Sequence, residues 1–306
     1  MSAAPRTPPG RTRRLAADTA ALLRSLVYQD DTDATDNLGL FDHFDRWTAP
    51  LFADYWAVTV ETARKRLRHL VDAGVIVCMA GAVSGHGGRE PDLYALAPHG
   101  ALVLDHLHDR PRHTTKAPQP AAGTPTLTAR GRRKLPHVAG GTTPHVLNCL
   151  RLALHQDWIG DGRWRIMRRL DGGGAGDEPI PDFALFPQGQ LLAVEVEGTL
   201  HRAHINEKHR RYARLARRLG AARDIFLSIV LTFPDDRDYA NARHAHELAF
   251  ARQGRDYRCY LARLPAILAT DAGTPLWDLE EQLDWRALRE RERAHHERMG
   301  RLYDGW

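Results

Sequence analysis

Cysteine is scarce in this sequence. Only Cys78, Cys149 and Cys259 occur in 306 residues, far apart and odd in number. Such a set offers neither a disulfide framework nor the paired spacing of a zinc site, and it suits a reducing cytoplasm. Long apolar runs are absent: nothing approaches the roughly 20 residues of a membrane span. Residues 1–14 hold arginines with no apolar segment behind them, so they do not read as a signal peptide. A cytoplasmic protein with no membrane partner is expected. There is no Gly-x-Ser-x-Gly, no Walker motif, no dinucleotide fingerprint in context and no internal repeat. The glycine-rich run Asp171–Gly176 precedes Pro179 and Pro181 rather than a helix, which makes it a poor phosphate cradle. The 17 histidines invite a metal reading, but His145, Cys149 and His155 lack a second ligand pair of zinc type.

Acidic residues are missing from one stretch. Residues 111–136 carry six basic and no acidic side chains, a charge of +6, whereas residues 1–110 net to −2 and the remainder to +1. The overall +5 therefore resides in a Pro-, Thr-, Ala- and Gly-rich linker. Arg130, Arg132, Arg133 and Lys134 in it have no acidic neighbours and are suited to a phosphate backbone. A plain soluble tether is the other reading.

Before the linker, residues 15–110 follow a basic arm at 1–14. The pattern predicts a helix from Leu15 to Tyr28, an acidic loop from Asp30 to Asn37 and a short helical stretch at Leu38–Phe44. Thr48 then caps a helix with Pro50 in its first turn. Thr59 caps the next helix, where Ala63, Leu67, Leu70 and Val71 form the apolar stripe and Gly74 the stop. Its outer face carries Arg64, Lys65 and Arg68. Two strands follow, Val75–Met79 and Leu93–Leu96, joined by a glycine-rich loop with Arg89 near its tip, and then a helix from Pro98 to His108. This order predicts a winged helix-turn-helix that binds double-stranded DNA. The basic helix face fits the major groove and the wing cation reaches phosphates. An ordinary solvated face, or a protein-interaction module, is the alternative.

Residues 137–270 read as an α/β domain, a sheet between helices. Strands are expected at Arg163–Leu170, Phe183–Phe186, Gln190–Val196, Asp224–Phe233 and Tyr257–Arg263, with helices at Thr143–Gln156, 202–219 and Tyr239–Arg252. The last part, 271–306, is a charged helical extension with Leu279, Leu283 and Leu288 inward. It either caps the domain or pairs with a second copy; with the winged helix it suits a homodimer.

The chemistry concentrates between Pro181 and Lys208. Period-two alternation puts Glu195 and Glu197 on the strand face of Leu191 and Ala193. Two such carboxylates at the end of an apolar strand repel each other and are costly to desolvate. Antiparallel pairing of the preceding strand brings Asp182 beside Glu195. Three carboxylates suit Mg²⁺ or Mn²⁺. Lys208 lies on one helical stripe with Ile205, Tyr212, Leu215 and Leu219 and is expected to point at the same place; His201, His204 and His209 lie nearby. Singly, each residue has an ordinary reading: a turn at Asp182, a solvated strand end, and a snorkelling lysine.

Pro181-Asp182 followed by Glu195-Val196-Glu197 resembles the PD-(D/E)XK nucleases, with Glu197 where that pattern has lysine and Lys208 as a substitute. The whole layout is similar to the replication-relaxation family of plasmid and mobile-element proteins over roughly residues 15–265. The residues that carry this likeness are Ala63–Leu70 through Gly74, Tyr94 to Gly100, His145 to Asn148, Pro181-Asp182, Glu195–Thr199, and Lys208 to Tyr212. The resemblance implies DNA work in plasmid replication, mobilisation or maintenance. Two readings of the second domain stay open. In one, it is a metal-dependent endodeoxyribonuclease in which Asp182, Glu195 and Glu197 hold Mg²⁺ or Mn²⁺ and Lys208 stabilises charge. In the other, it is a non-catalytic accessory or regulatory module with a degenerate nuclease fold.

If the linker cations touch only phosphates, neutralising Arg130, Arg132, Arg133 and Lys134 together will lower specific and non-specific DNA affinity by similar factors. A titration with two unrelated duplexes checks this, and a loss confined to one of them refutes it.

Overall fold

Helix starts are set by proline and threonine in the N-terminal part of the chain. The computed structural model describes residues 9–25, 34–79, 91–111, 142–159, 164–166, 179, 181–185, 190–197, 202–223, 225–274, 276 and 281–303. Helix α1 (Pro9–Ser25) opens on a proline, whose fixed φ suits the first helical position. It starts earlier than Leu15, so Arg11, Arg13 and Arg14 belong to it rather than to an arm. Helix α2 (Ala34–His43) takes in Ala34 to Asn37, which the acidic composition assigned to a loop; Asp36 sits in its first turn, where the helix dipole favours a negative charge. Strand β1 (Arg46–Thr48) leads into α3 (Ala49–Trp56). The Thr48 side chain caps that helix, and Thr59 caps α4 (Val60–Asp72), accepting from the Thr62 amide at 3.2 Å. Gly74 ends α4 with a φ of +72°, a left-handed conformation that glycine adopts without a Cβ penalty.

Strands β2 (Ile76–Met79) and β3 (Leu93–Leu96) pair antiparallel, and β1 adds to the far side of β3. The Trp47 ring of β1 is fully buried against Phe41, Phe44, Phe52 and Tyr55, with its indole N–H donating to the Phe44 carbonyl at 3.1 Å. Helix α5 (Pro98–Leu107) packs on α1 and α2, and Gly100 sits so close to the Val75 carbonyl that a Cβ would approach its oxygen to 1.9 Å. The loop carrying Arg89 and the linker bearing Arg130, Arg132, Arg133 and Lys134 lie outside the described residues. Helix α6 (Thr142–His155) follows, and the division between two compact units, Met1–Leu150 and Arg151–Trp306, falls within it.

In the second unit, β4 (Trp164–Ile166), β5 (Phe183–Leu185) and β6 (Gln190–Val196) form an antiparallel meander. Helix α7 (Arg202–Arg223) crosses over to β7 (Phe226–Phe233), parallel to β6, and α8 (Asp236–Gln253) crosses to β8 (Tyr257–Arg263), parallel to β7. A 3₁₀ turn at Gly254–Asp256 precedes β8; α9 (Leu264–Leu268), β9 (Glu281–Gln282) and α10 (Trp285–Tyr303) follow it. The sheet order is β4-β5-β6-β7-β8-β9. Leu191, Ala193, Leu227, Ile229 and Leu231 of the sheet pack in one core with Tyr212 and Leu215 of α7 and Phe250 of α8. Leu283 and Leu288 join that core, so the C-terminal segment caps this unit; Leu279 lies outside the described residues. The architecture is mixed α/β with two sheets. No helix among the described residues is long and apolar enough to cross a membrane.

Gly100→Ala forces overlap with backbone that cannot swing away. It is expected to cost on the order of 1–3 kcal/mol of stability. Gly39→Ala, in α2 with nothing within 4 Å of the new Cβ, is the control and is expected to be neutral or stabilising by up to about 1 kcal/mol. Urea denaturation midpoints of the two variants check the contrast.

Candidate active site

The register of β5 and β6 builds the site. Phe183 faces Val194, so Asp182 and Glu195 fall at the next position along the two strands. The Asp182 carboxylate accepts from the Val196 amide at 2.7 Å, which ties the start of β5 to the end of β6. On the other side of β6, the Thr232 hydroxyl donates to the Glu195 carbonyl at 2.9 Å, and the Glu197 amide donates to the Thr232 carbonyl at 2.7 Å. The strand end that carries both glutamates is thus held by β5 and by β7.

All three carboxylates are buried: Asp182 and Glu195 are 7% exposed and Glu197 3%. A solvated strand end is therefore excluded. Helix α7 buries Ile205, Tyr212 and Leu215 and directs Lys208 at the same point, as its stripe predicted. The Lys208 ammonium donates to Glu195 Oε2 at 3.1 Å and to Glu197 Oε1 at 2.5 Å. The Tyr212 hydroxyl donates to the other Glu195 oxygen at 2.5 Å. The Lys208 side chain keeps 22% of its surface in contact with solvent.

The electrostatics follow from three carboxylates and one ammonium. Burial pushes the Glu195 carboxyl up, and the charges of Asp182 and Glu197 add to it. Lys208 and the Tyr212 hydrogen bond pull it down without cancelling the rise, and it titrates at about 7. Burial alone would lower Lys208, but Glu195 and Glu197 outweigh that and hold it charged, above its ordinary range. Burial, reinforced by Glu195, keeps Tyr212 protonated far into alkaline pH. Carboxylate oxygens in excess of the one ammonium are the donor type that Mg²⁺ or Mn²⁺ takes, but Asp182, Glu195 and Glu197 do not bring their ligand oxygens all within 4.8 Å of one another.

The histidines behave differently from the sequence expectation. His209 is fully buried away from the carboxylates, sharing hydrogen bonds with the Tyr257 hydroxyl at 2.6 Å and His246 Nδ1 at 3.0 Å. Burial holds His209 well below its ordinary pKa and lowers His246 to about 4, so both rings are neutral at pH 7. The pair fastens α7 to α8 and β8, behind Lys208. His204 is exposed, and His201, Gly198 and Thr199 lie outside the described residues. Sequence reasoning placed Tyr212 on the core stripe and missed its contact with Glu195. Its position four residues after Lys208, on the same helix face, was the available signal. Thr232 had no local signal, since only the β6–β7 pairing brings it to Val196.

In the first unit, Arg64, Lys65 and Arg68 are exposed on α4, while Ala63, Arg66, Leu67 and Leu70 of the same helix are buried. Arg66 places its guanidinium 5.8 Å from the centre of the Trp56 ring. The helix therefore presents a basic face to solvent on one side only. Arg89, Arg132, Arg133 and Lys134 are outside the described residues.

A family model described as Replication-relaxation matches residues 48–226. The match is shorter than the 15–265 over which the motifs were read, and it contains α4 with its basic face, both strands of the carboxylate hairpin and Lys208. No curated protein and no solved structure matches the chain.

Glu195 supplies a pH test. Its folded pKa lies above the ordinary carboxyl value of 4.5, so the folded state retains a proton that the unfolded chain releases. Its contribution to stability is therefore lost as pH rises from about 4.5 through about 7. The buried histidines act in the opposite sense, their contribution being lost as pH falls below 6.5, but they are common to wild type and variant. Glu195→Gln cannot ionise. Its stability relative to wild type is expected to increase by roughly 1–3 kcal/mol between pH 5 and pH 8. Chemical denaturation across that range measures it, and a difference independent of pH contradicts the repulsion described above.

Proposed function

We propose, from the premise that this chain belongs to the replication-relaxation family, that it is a DNA-binding protein of plasmid or mobile-element replication or mobilisation. In this reading the N-terminal unit holds double-stranded DNA as a winged helix-turn-helix, and the second unit cuts or nicks DNA with a divalent metal. The observation that carries it is the buried cluster of Asp182, Glu195, Glu197 and Lys208 at one sheet end. Two further features support it. The meander β4-β5-β6, the crossover α7 and the parallel β7 after α6 follow the α-β-β-β-α-β order that a PD-(D/E)XK domain requires. The capped helix α4, with Arg64, Lys65 and Arg68 outward and followed by the β2–β3 pair, is in keeping with a major-groove helix.

Asp182, Glu195 and Glu197 would hold Mg²⁺ or Mn²⁺, which when bound supplies a more acidic water and charge neutralisation at the phosphate. The chain's own residues do the rest. The Val196 amide orients Asp182, and Tyr212 fixes Glu195 through one oxygen. Lys208 keeps a positive charge beside the place where a scissile phosphate would develop negative charge. The second reading, a non-catalytic module, draws on the same contacts: Lys208 already bridges Glu195 and Glu197, so the cluster is an ion-paired structure as it stands.

Incubation with plasmid DNA and Mg²⁺ or Mn²⁺ separates the two readings. Cleavage or nicking is expected. Glu195→Ala is expected to abolish it together with the rise in melting temperature on adding metal. Lys208→Ala is expected to keep that rise and lose about 10²–10³ in rate. A wild-type protein with neither response is a non-catalytic module. For the first unit, Arg64→Ala with Arg68→Ala is expected to weaken duplex binding and lower its salt slope by about 2. An unchanged slope removes the assignment.

A further inference from the structure

The second unit carries a feature that the carboxylate site does not use. Helix α8, the 3₁₀ turn and α10 enclose an open trough of about 800 Å³ lined by Arg252, Arg255, Arg286, Arg289 and Arg293, with Trp285 and two glutamates, Glu290 and Glu292. Five guanidiniums thus face two carboxylates. Their partners are unevenly shared. Arg252 and Arg289 both lean on Glu292, at 3.2 and 3.8 Å. Among the described residues Arg255 pairs with Asp256 alone, at 3.4 Å, and its side chain is 76% exposed. Arg286 and Arg293 are exposed, and neither side chain has an ion pair among the described residues.

One solvated helix face would also be basic and exposed, but it would be convex and built from one element. Here three elements converge on a concavity, with a half-buried indole among the arginines. Glu292 clamps Arg252 to Arg289 across α8 and α10, which fixes the wall, while Arg286 and Arg293 are exposed and Arg255 holds only its chain neighbour Asp256. Arginine forks match phosphate oxygens bidentately, and an aromatic face accepts a guanidinium or a base. Arg252 also lines a second groove of about 310 Å³ that continues to α7, where Arg210 is already ion-paired with Glu207. The arginine trough itself lies beyond residue 226, where the family match ends.

The geometry points to this trough as a nucleic-acid backbone site of the second unit, holding consecutive phosphates independently of base sequence. It rests on the proposed DNA function only in the choice of nucleic acid as the polyanion. Contacts of this kind release counterions, so their removal is read in the salt dependence of binding.

The test uses the full chain with Arg255→Gln, Arg286→Gln and Arg293→Gln combined, and a matched Arg→Lys triple that keeps the charge. Binding of a 20-base-pair duplex and of the corresponding single strand is measured by fluorescence anisotropy from about 50 to 200 mM salt. The glutamine triple is expected to lose at least about tenfold in affinity for one or both probes, with a slope lower by about 2–3. The lysine triple is expected to keep the wild-type slope. A glutamine triple with wild-type affinity and slope overturns the trough while leaving the Arg64 and Arg68 assignment standing. A loss shared equally by the lysine triple also overturns it, since charge would not be its cause. The reverse pattern, a loss in the glutamine triple but none on replacing Arg64 and Arg68, upholds the trough and removes the α4 interface. A wild-type chain that binds neither probe overturns both.

Discussion

One ammonium between two buried glutamates is the constraint on which the second unit depends. Glu195 and Glu197 are almost fully enclosed, and Lys208 is the cation that faces both. Removing one member of a buried pair typically costs about 3–5 kcal/mol, because the remaining charge stays desolvated. The cluster therefore demands accuracy from its surroundings. The β5–β6 register, the Thr232 clasp on β6 and the rotation of α7 about its axis all have to be right together. The neutral His209–His246–Tyr257 group supplies the last of these, since it holds the next residue of α7 from behind.

The short motifs shared with the replication-relaxation pattern divide into two physical kinds. Gly74 and Gly100 are backbone requirements, one for a left-handed turn after α4 and one for the close passage of α5 over Val75. Asp182, Glu195, Glu197, Lys208 and Tyr212 are chemical requirements, joined by hydrogen bonds and charge. Arg64, Lys65 and Arg68 belong to neither kind: they are exposed on α4, and Arg64 has an ion pair with Glu61 of the same helix.

Much of this was legible in the sequence because it is local. Strand β6 and strand β3 have the limits that their apolar runs gave, Thr48 and Thr59 cap the helices they were expected to cap, and the alternation in β6 placed both glutamates on the α7 side. What escaped is non-local or short. Strand β1 has three residues and β9 two, too few to show a period. His209 reads as a neighbour of the site in the chain, yet its partners lie 37 and 48 positions away. The arginine trough draws on α8, the 3₁₀ turn and α10, and the C-terminal charges that line it belong to a segment read only as a cap or a pairing helix.

The spacing of the carboxylate cluster has a kinetic consequence. Its defining bonds span 14 positions between Asp182 and Val196, 13 between Glu195 and Lys208, and 17 between Glu195 and Tyr212. Each closes a short loop, and short loops lose the least chain entropy and favour early formation. The clasp of Thr232 on Glu195 spans 37 positions, and the pairing of β6 with β7 closes a loop that contains all of α7. On loop-closure entropy alone, the hairpin and its contacts with the first turns of α7 are the ones expected to form first, so that the charged residues meet their partners before the larger sheet closes.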